Sequence, residues 1–356
     1  MRLSYPRLVL AGFGVVVVAS LLVAASISGT AFGSYNPSWE GTSDLRAMGE
    51  SFADETSVIQ NTESYESDTA TGTIGFVISP AEPYSTTDVA TIRQFIQRGG
   101  TLVVAGDFDG STNQLLRGLG TSTRITNVPV RDEQEYYRSP ALPIAPNVTS
   151  SNYTNNISQL TLNYPSSLQL AGNESTVLVR TSSYAYLDLN RDGELNSTET
   201  LRQHPVVSRE QIGEGELLAV SDPSIFINTM LDQPDNREFV QNLVDRHNRS
   251  VLDVSHSGGV PPLVGLLMLL RESTVAQLLG GGLLLAMVGK WRGLLGYTRR
   301  LGRRISLSAE VPERRAVDSG ALKESLQAKY PDWDEQRVER VAQSIMPRNG
   351  EGRNDE

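Results

Sequence analysis

Residues 8–31 carry no charge, and only Ser, Thr and Gly interrupt their apolar run. A helix rises about 1.5 Å per residue, so roughly 20 apolar residues reach across a bilayer core. The pattern predicts an N-terminal transmembrane anchor over 1–33. Arg2 and Arg7 precede it and place the N-terminus in the cytoplasm by the positive-inside rule. A cleaved signal peptide is the rival, because Gly29 and Ala31 are small enough for a cleavage site. Either way the following chain is expected to be exported.

A second apolar stretch covers 260–291, broken by Arg271-Glu272. Residues 273–291 are expected to span, with 261–270 as an apolar lead-in; one longer tilted helix is the alternative. Lys290, Arg292, Arg299, Arg300, Arg303 and Arg304 follow with no acid among them, which marks a cytoplasmic flank and attracts anionic lipid headgroups. The expected protein is a two-pass cell-membrane protein, its partner the lipid bilayer, with both termini inside and the main domain outside. Asn147, Asn152, Asn156, Asn173, Asn196 and Asn248 each open an N-x-S/T triplet, and all six fall between the two stretches as glycosylation candidates.

Charge is sorted along the chain. Of the formal net charge of −10, residues 34–260 hold 29 Asp/Glu against 14 Arg and no Lys. Lysine occurs only at 290, 323 and 329. An acidic surface without lysine is a halophile's device for solubility in brine. It carries the wrong sign for nucleic acid. The absence of cysteine excludes disulfides, thiolate metal sites and a cysteine nucleophile.

Periodicity in the exported segment, 34–259, alternates short apolar runs with amphipathic helices. Residues 74–78 and 101–105 read as buried strands. Residues 86–98 read as a helix with Val89, Ile92, Phe95 and Ile96 on one face, and 113–119 as a short helix. A strand at 216–220 and a helix at 237–247 repeat the theme. This order predicts an α/β fold with a doubly wound, mainly parallel sheet. About 131–200 is expected to be an irregular loop and β insertion. Residues 292–356 form a basic juxtamembrane segment and a small tail, with helices at 320–330 and 334–345 that are expected to dock on a partner. Gly280-Gly281-Gly282 offers a close helix contact within the span.

Asn36-Pro-Ser-Trp39-Glu-Gly41-Thr-Ser-Asp-Leu45, the strand–helix–strand over 74–106, the stretch 206–221 and Ser221-Asp-Pro-Ser-Ile-Phe-Ile-Asn228 resemble an archaeal, haloarchaeal-type membrane-protein family catalogued as domain of unknown function 4350. The resemblance implies a body similar to the class I glutamine amidotransferase-like fold. It also implies, by association, a membrane assembly system that includes a MoxR-type ATPase as a partner. No activity is implied.

The amidotransferase pattern places a nucleophile in G-x-C-x-G, where this chain has Gly106-Asp107-Phe108-Asp109-Gly110. A phenyl ring cannot attack a carbonyl. A replaced Ser–His–Asp triad would have to use His204 or His256. Asp107 and Asp109, at the carboxyl end of a strand, and Ser221 and Asp222, at another, are ligand-binding candidates. An acidic, glycine-rich turn with a purely structural role is the alternative.

The chain Asp188-Leu-Asn190-Arg-Asp192-Gly193-Glu194-Leu-Asn196-Ser-Thr-Glu199 fits D-x-[DN]-x-[DN]-G-x5-E. It makes Asp188, Asn190, Asp192, Glu194 and Glu199 candidate calcium ligands. The strand-like approach to it and the sequon at Asn196 weigh against calcium, and a polar hairpin turn built on Asp192-Gly193 is the alternative. These features lead to the expectation of a non-catalytic, membrane-anchored exported binding or scaffold domain. The alternatives are a hydrolase or amidotransferase-like enzyme with a replaced triad, or a calcium-stabilised cell-surface protein.

Overall fold

The computed structural model describes residues 5–26, 29–66, 69–171, 174–257, 260–279, 281–282 and 319–345. The chain divides into two compact units, Met1–Thr274 and Val275–Glu356.

Among the strands are β1 (Glu55–Ile59), β2 (Thr73–Ile78), β3 (Thr101–Ala105), β4 (Thr123–Ile125), β5 (Val130–Asp132), β6 (Ile144–Ala145) and β7 (Asn147–Val148). They continue with β8 (Leu160–Thr161), β9 (Leu168–Leu170), β10 (Ser175–Arg180), β11 (Ala185–Leu187), β12 (Pro205–Ile212), β13 (Gly215–Val220) and β14 (Arg249–Asp253). The main sheet runs β1-β14-β2-β3-β13-β12-β10-β7. Its first five strands are parallel and its last three join by antiparallel pairing. The sheet is therefore mixed, which corrects the mainly parallel expectation. The cause is the β12–β13 hairpin: Gly213, at φ 63, turns the chain straight back, and a tight hairpin can join only antiparallel strands.

Strand alternation assigns side chains to the two faces. Ile74, Phe76 and Ile78 of β2 and Val103 and Ala105 of β3 meet Leu45 and Met48 of α2 (Ser43–Phe52), Leu231 of α5 (Asn228–Leu231) and Phe239 and Leu243 of α6 (Asn236–Val244). Val77, Leu102 and Val104 face the other way, against Ile92, Phe95 and Ile96 of α3 (Thr86–Gln97) and Leu115, Leu116 and Leu119 of α4 (Gly110–Leu119). Helices thus cover both faces. Ser85 caps α3 in a full capping box with Asp88.

The two terminal signature segments meet. Asn228 donates from Nδ2 to the carbonyls of Ser38 (2.7 Å) and Asn36 (3.1 Å) and accepts the Asp44 amide at 3.0 Å. One buried amide side chain thereby ties the start of the body to the turn after β13.

No helix among the described residues is long and apolar enough to cross a membrane. The expected pair of flanking spans, the two-pass topology and the localisation built on it are corrected accordingly. Helix α1 (Tyr5–Ser26) ends before Ala31, and the chain beyond Gly29 turns onto the body, with the Phe32 amide bonded to the Glu40 carbonyl at 2.9 Å. Helix α7 (Pro262–Glu272) has 11 residues, about 16 Å of rise against a core of about 30 Å. Ser273 follows it in extended backbone, φ −108° and ψ 111°, so the second apolar stretch is not one long helix. Most of the expected span beyond residue 282, the basic flank at 290–304 and Gly280 lie outside the described residues.

The second unit contains α8 (Ser319–Lys329) and α9 (Glu335–Ile345). Asp334 caps α9 by accepting the Arg337 amide at 2.7 Å. Lys323 pairs with Glu339 at 2.6 Å, and Tyr330 stacks on Trp333.

Candidate functional site

The carboxyl ends of β1, β14, β2, β3 and β13 share one edge, because these five strands are parallel. From β3 the chain enters α4 on one face; from β13 it enters α5 and α6 on the other. Such a reversal opens the crevice that open α/β sheets use for ligands. Gly106-Asp107 and Ser221-Asp222 flank it, joined by the Gly106 amide to the Val220 carbonyl at 3.1 Å. Gly106 is required by packing, since a Cβ there would lie 2.3 Å from Thr112 Oγ1.

The structure brings the predicted residues together but gives them local work. Asp109 accepts the amides of Ser111 (2.6 Å) and Thr112 (3.2 Å) and caps α4, which therefore starts ahead of the predicted residue 113. Asp222 is fully buried; its Oδ1 accepts the Ser224 amide at 2.8 Å and its Oδ2 the Asn163 amide at 2.7 Å. Burial pushes its carboxyl up to about 7, with the nearby Asp107 charge adding to the shift. Burial also raises Asp107, which accepts the Phe108 amide at 2.6 Å. Ser221 donates to the Ser166 carbonyl at 2.8 Å, and the Ser166 amide returns a bond to the Ser221 carbonyl. Asn163 and Ser166 belong to the insertion, so the chain fills its own crevice. The Arg191 guanidinium carbon lies 5.4 Å from the centre of the Phe108 ring.

A second polar cluster on the same edge was not legible in the sequence. Asp253 closes β14 and is nearly fully buried. Its Oδ1 accepts the Ser255 hydroxyl (2.6 Å) and amide (2.9 Å), and its Oδ2 accepts the Tyr84 hydroxyl at 3.3 Å. Burial raises its carboxyl against the Ser255 bonds. Ser255 Oγ lies 2.8 Å from His256 Nδ1, and His256 Nε2 lies 3.7 Å from Asp88 Oδ2. The His256 ring stacks on Tyr84 at 3.9 Å. Burial works to raise Asp88, but hydrogen bonds from Ser85 and Thr62, with the His256 charge, outweigh it and the carboxyl is lowered. Strand β14 supplies only two adjacent apolar residues, Val251 and Leu252, which is too weak a run to mark a strand. His204, the other triad candidate, is buried with its amide on Thr181 Oγ1 at 2.8 Å, and no serine hydroxyl among the described residues bonds to it.

The loop 188–199 leaves β11 and closes on itself. Asp188, fully buried, accepts Arg131 Nε at 2.7 Å and the Gly193 amide at 3.1 Å on Oδ2. Gly193 takes φ 82, the left-handed conformation that favours glycine. Asn190 and Asn196 donate to Asp192, while Glu199 accepts the amides of Leu189 (2.7 Å) and Asn196 (3.0 Å). The Glu194 amide bonds to Asp192 at 2.9 Å. In this conformation no three histidine or acidic side chains among the described residues stand together to hold a metal.

Of the sequon residues, Asn147, Asn152, Asn156 and Asn248 are exposed. Asn147 and Asn196 use their side-chain nitrogens internally, on the Thr181 carbonyl and on Asp192. Asn173 lies outside the described residues.

The family described as domain of unknown function DUF4350 matches residues 34–244. No curated protein matches the chain. Among solved structures, the mmIFT52 N-terminal domain is similar at 13% identity and TM-score 0.40, covering 53% of this chain and 95% of that domain. Cytoplasmic protein STM1381 from Salmonella typhimurium LT2 follows at 14% and 0.33, covering 58% and 83%. A beta-galactosidase from Bacillus circulans sp. alkalophilus gives 13% and 0.28, covering 54% of this chain and 23% of the enzyme. This chain thus spans under a quarter of that galactosidase, and likenesses at these scores carry no functional argument.

Proposed function

The chain belongs to the DUF4350 family, and on that premise we propose that it is a non-catalytic binding or scaffold domain working within a larger assembly. One observation carries this reading: the crevice at the β3/β13 reversal is filled by the protein's own insertion, through the Asn163 amide on Asp222. Asp109 and Asp222 serve as helix caps, and the resemblance to amidotransferase-like bodies would put Phe108 in the nucleophile's position. The finer reading, an amidotransferase-like body from a halophilic archaeon, draws support from that turn and from arginine in place of lysine. A partner of the MoxR-type ATPase class belongs to the same proposal by association.

The test replaces the proton-transfer groups of the sheet edge together, as Asp107→Asn, Ser255→Ala and His256→Gln, in the native host. A scaffold keeps its native-gel complexes and the host's growth. Loss of both, in a variant that melts like wild type, refutes the reading.

A second reading, a hydrolase with a replaced triad, has one observation in its favour: Ser255, His256 and Asp88 are linked in that order. Its test is labelling by a fluorophosphonate probe. Labelling that vanishes in Ser255→Ala supports it, and an unlabelled wild type removes it.

A further inference from the structure

Loop 188–199 holds oxygen groups at the spacing of a calcium loop, and its first residue is incompletely satisfied. Asp188 is fully buried, yet its Oδ1 has no hydrogen-bond partner. A buried carboxylate oxygen left unpaired is costly. Because Oδ2 is bound by the Gly193 amide at the centre of the loop, the carboxylate is turned into the loop rather than away from it. The nearest cation is Arg131. Its Nε is 2.7 Å from Asp188 Oδ2, its Nη2 would stand 3.3 Å from a Cβ at Gly193, and its charge reaches Asp192. A monovalent guanidinium therefore sits where the loop's negative charge converges.

We propose that this loop is a calcium site in which Arg131 holds the place of the metal until the ion displaces it. Asp188, Asn190 and Asp192 would supply side-chain oxygens, Glu194 its carbonyl and Glu199 its carboxylate, the ligand set that seven-coordinate calcium takes. Loading requires Glu199 to release the Leu189 and Asn196 amides and Asp192 to release Asn196. Those exchanges and the Arg131 competition set a weak affinity, in the range of about 10⁻⁴–10⁻³ M typical of extracellular modules. The bonds that Asp192 and Glu199 make explain why the acids are not gathered.

Tyr186, two residues before Asp188, is a built-in sensitiser for terbium bound in the loop. The experiment titrates the full chain with Tb³⁺ under tyrosine excitation, competes with Ca²⁺, and follows the melting temperature in Ca²⁺ against EDTA. Saturable, calcium-displaced luminescence and a higher midpoint in calcium are expected. Arg131→Gln should bind several-fold more tightly, and Glu199→Gln at least tenfold more weakly. Asp192→Asn, at an exposed position, should weaken binding as well. No saturable signal and no calcium-dependent midpoint in the wild type overturn the proposal. Binding only after Arg131→Gln also overturns it, because the arginine would then be the loop's permanent cation. Unchanged affinity in both Asp192→Asn and Glu199→Gln places the ion elsewhere and overturns it equally.

Discussion

The Asn163 amide donates to Asp222 Oδ2 at 2.7 Å, and this bond joins the insertion to the carboxyl edge of the sheet. It spans 59 residues of sequence and closes the crevice that the strand reversal would otherwise leave open. The backbone amides of Asn163 and Ser224 satisfy a carboxyl that burial makes hard to ionise.

Asp222 should make the protein less stable as pH rises from about 4 to about 7. Its folded pKa, about 7, exceeds the ordinary 3.8, so the folded state holds a proton that the unfolded chain has released across that window. Stability falls with pH wherever the native state binds more protons. Asp222→Asn should flatten this part of the profile, as read from urea midpoints at half-unit intervals.

His204 should act with the opposite sign. Burial, assisted by the Arg202 charge, lowers it from 6.5 to about 4, so between those values the unfolded chain binds the extra proton. Stability is lost as pH falls through that window. His204→Leu should remove part of the acid-side slope. The buried His247, also lowered by burial, should keep the remainder.

Glu210, 4% exposed, gathers the Ser122 amide (2.8 Å) and the hydroxyls of Ser122 (3.1 Å), Thr123 (3.3 Å) and Ser175 (2.7 Å). It holds β4, β10 and β12 in one polar knot. Glu210→Ala should cost about 1–3 kcal/mol or more, because each orphaned buried donor carries a penalty of that size. Chemical denaturation should show a lower midpoint at constant slope, with a smaller loss for Glu210→Gln.

Two glycines should respond in opposite directions to alanine. A Cβ at Gly215 would lie 2.1 Å from the Gly100 carbonyl and 2.2 Å from that of Ile96, both backbone atoms. Gly215→Ala should cost roughly 3 kcal/mol, the upper part of the overpacking range. A Cβ at Gly110 meets nothing within 4 Å in the first turn of α4. Gly110→Ala should gain about 0.4–1 kcal/mol by restricting the unfolded chain. Melting temperatures of the two variants measure both effects.

Local pattern was enough for the elements that bury a continuous face. Strand β3 carries five consecutive buried residues and α3 its Ile92–Phe95–Ile96 face, so both were legible in the sequence. The D-x-[DN]-x-[DN]-G-x5-E spacing of 188–199 was equally legible, because it lies within twelve consecutive residues. Local pattern failed where pairing is non-local. Nothing near Arg249–Asp253 announces that β14 lies between β1 and β2. The charged pair Arg271-Glu272, by contrast, did mark the break that the backbone makes at Ser273.

The sequence alone determined which residues are available: no cysteine, three histidines and a body of strong negative charge. Only the tertiary structure decided which of them meet. Asp222 reaches Asn163, Asp188 reaches Arg131 and Tyr84 reaches Asp253 at the end of β14 through sheet order and insertion path, which depend on contacts far apart in the chain. Hydropathy and spacing describe neighbours along the backbone, whereas burial, charge pairing and a filled crevice depend on neighbours in space.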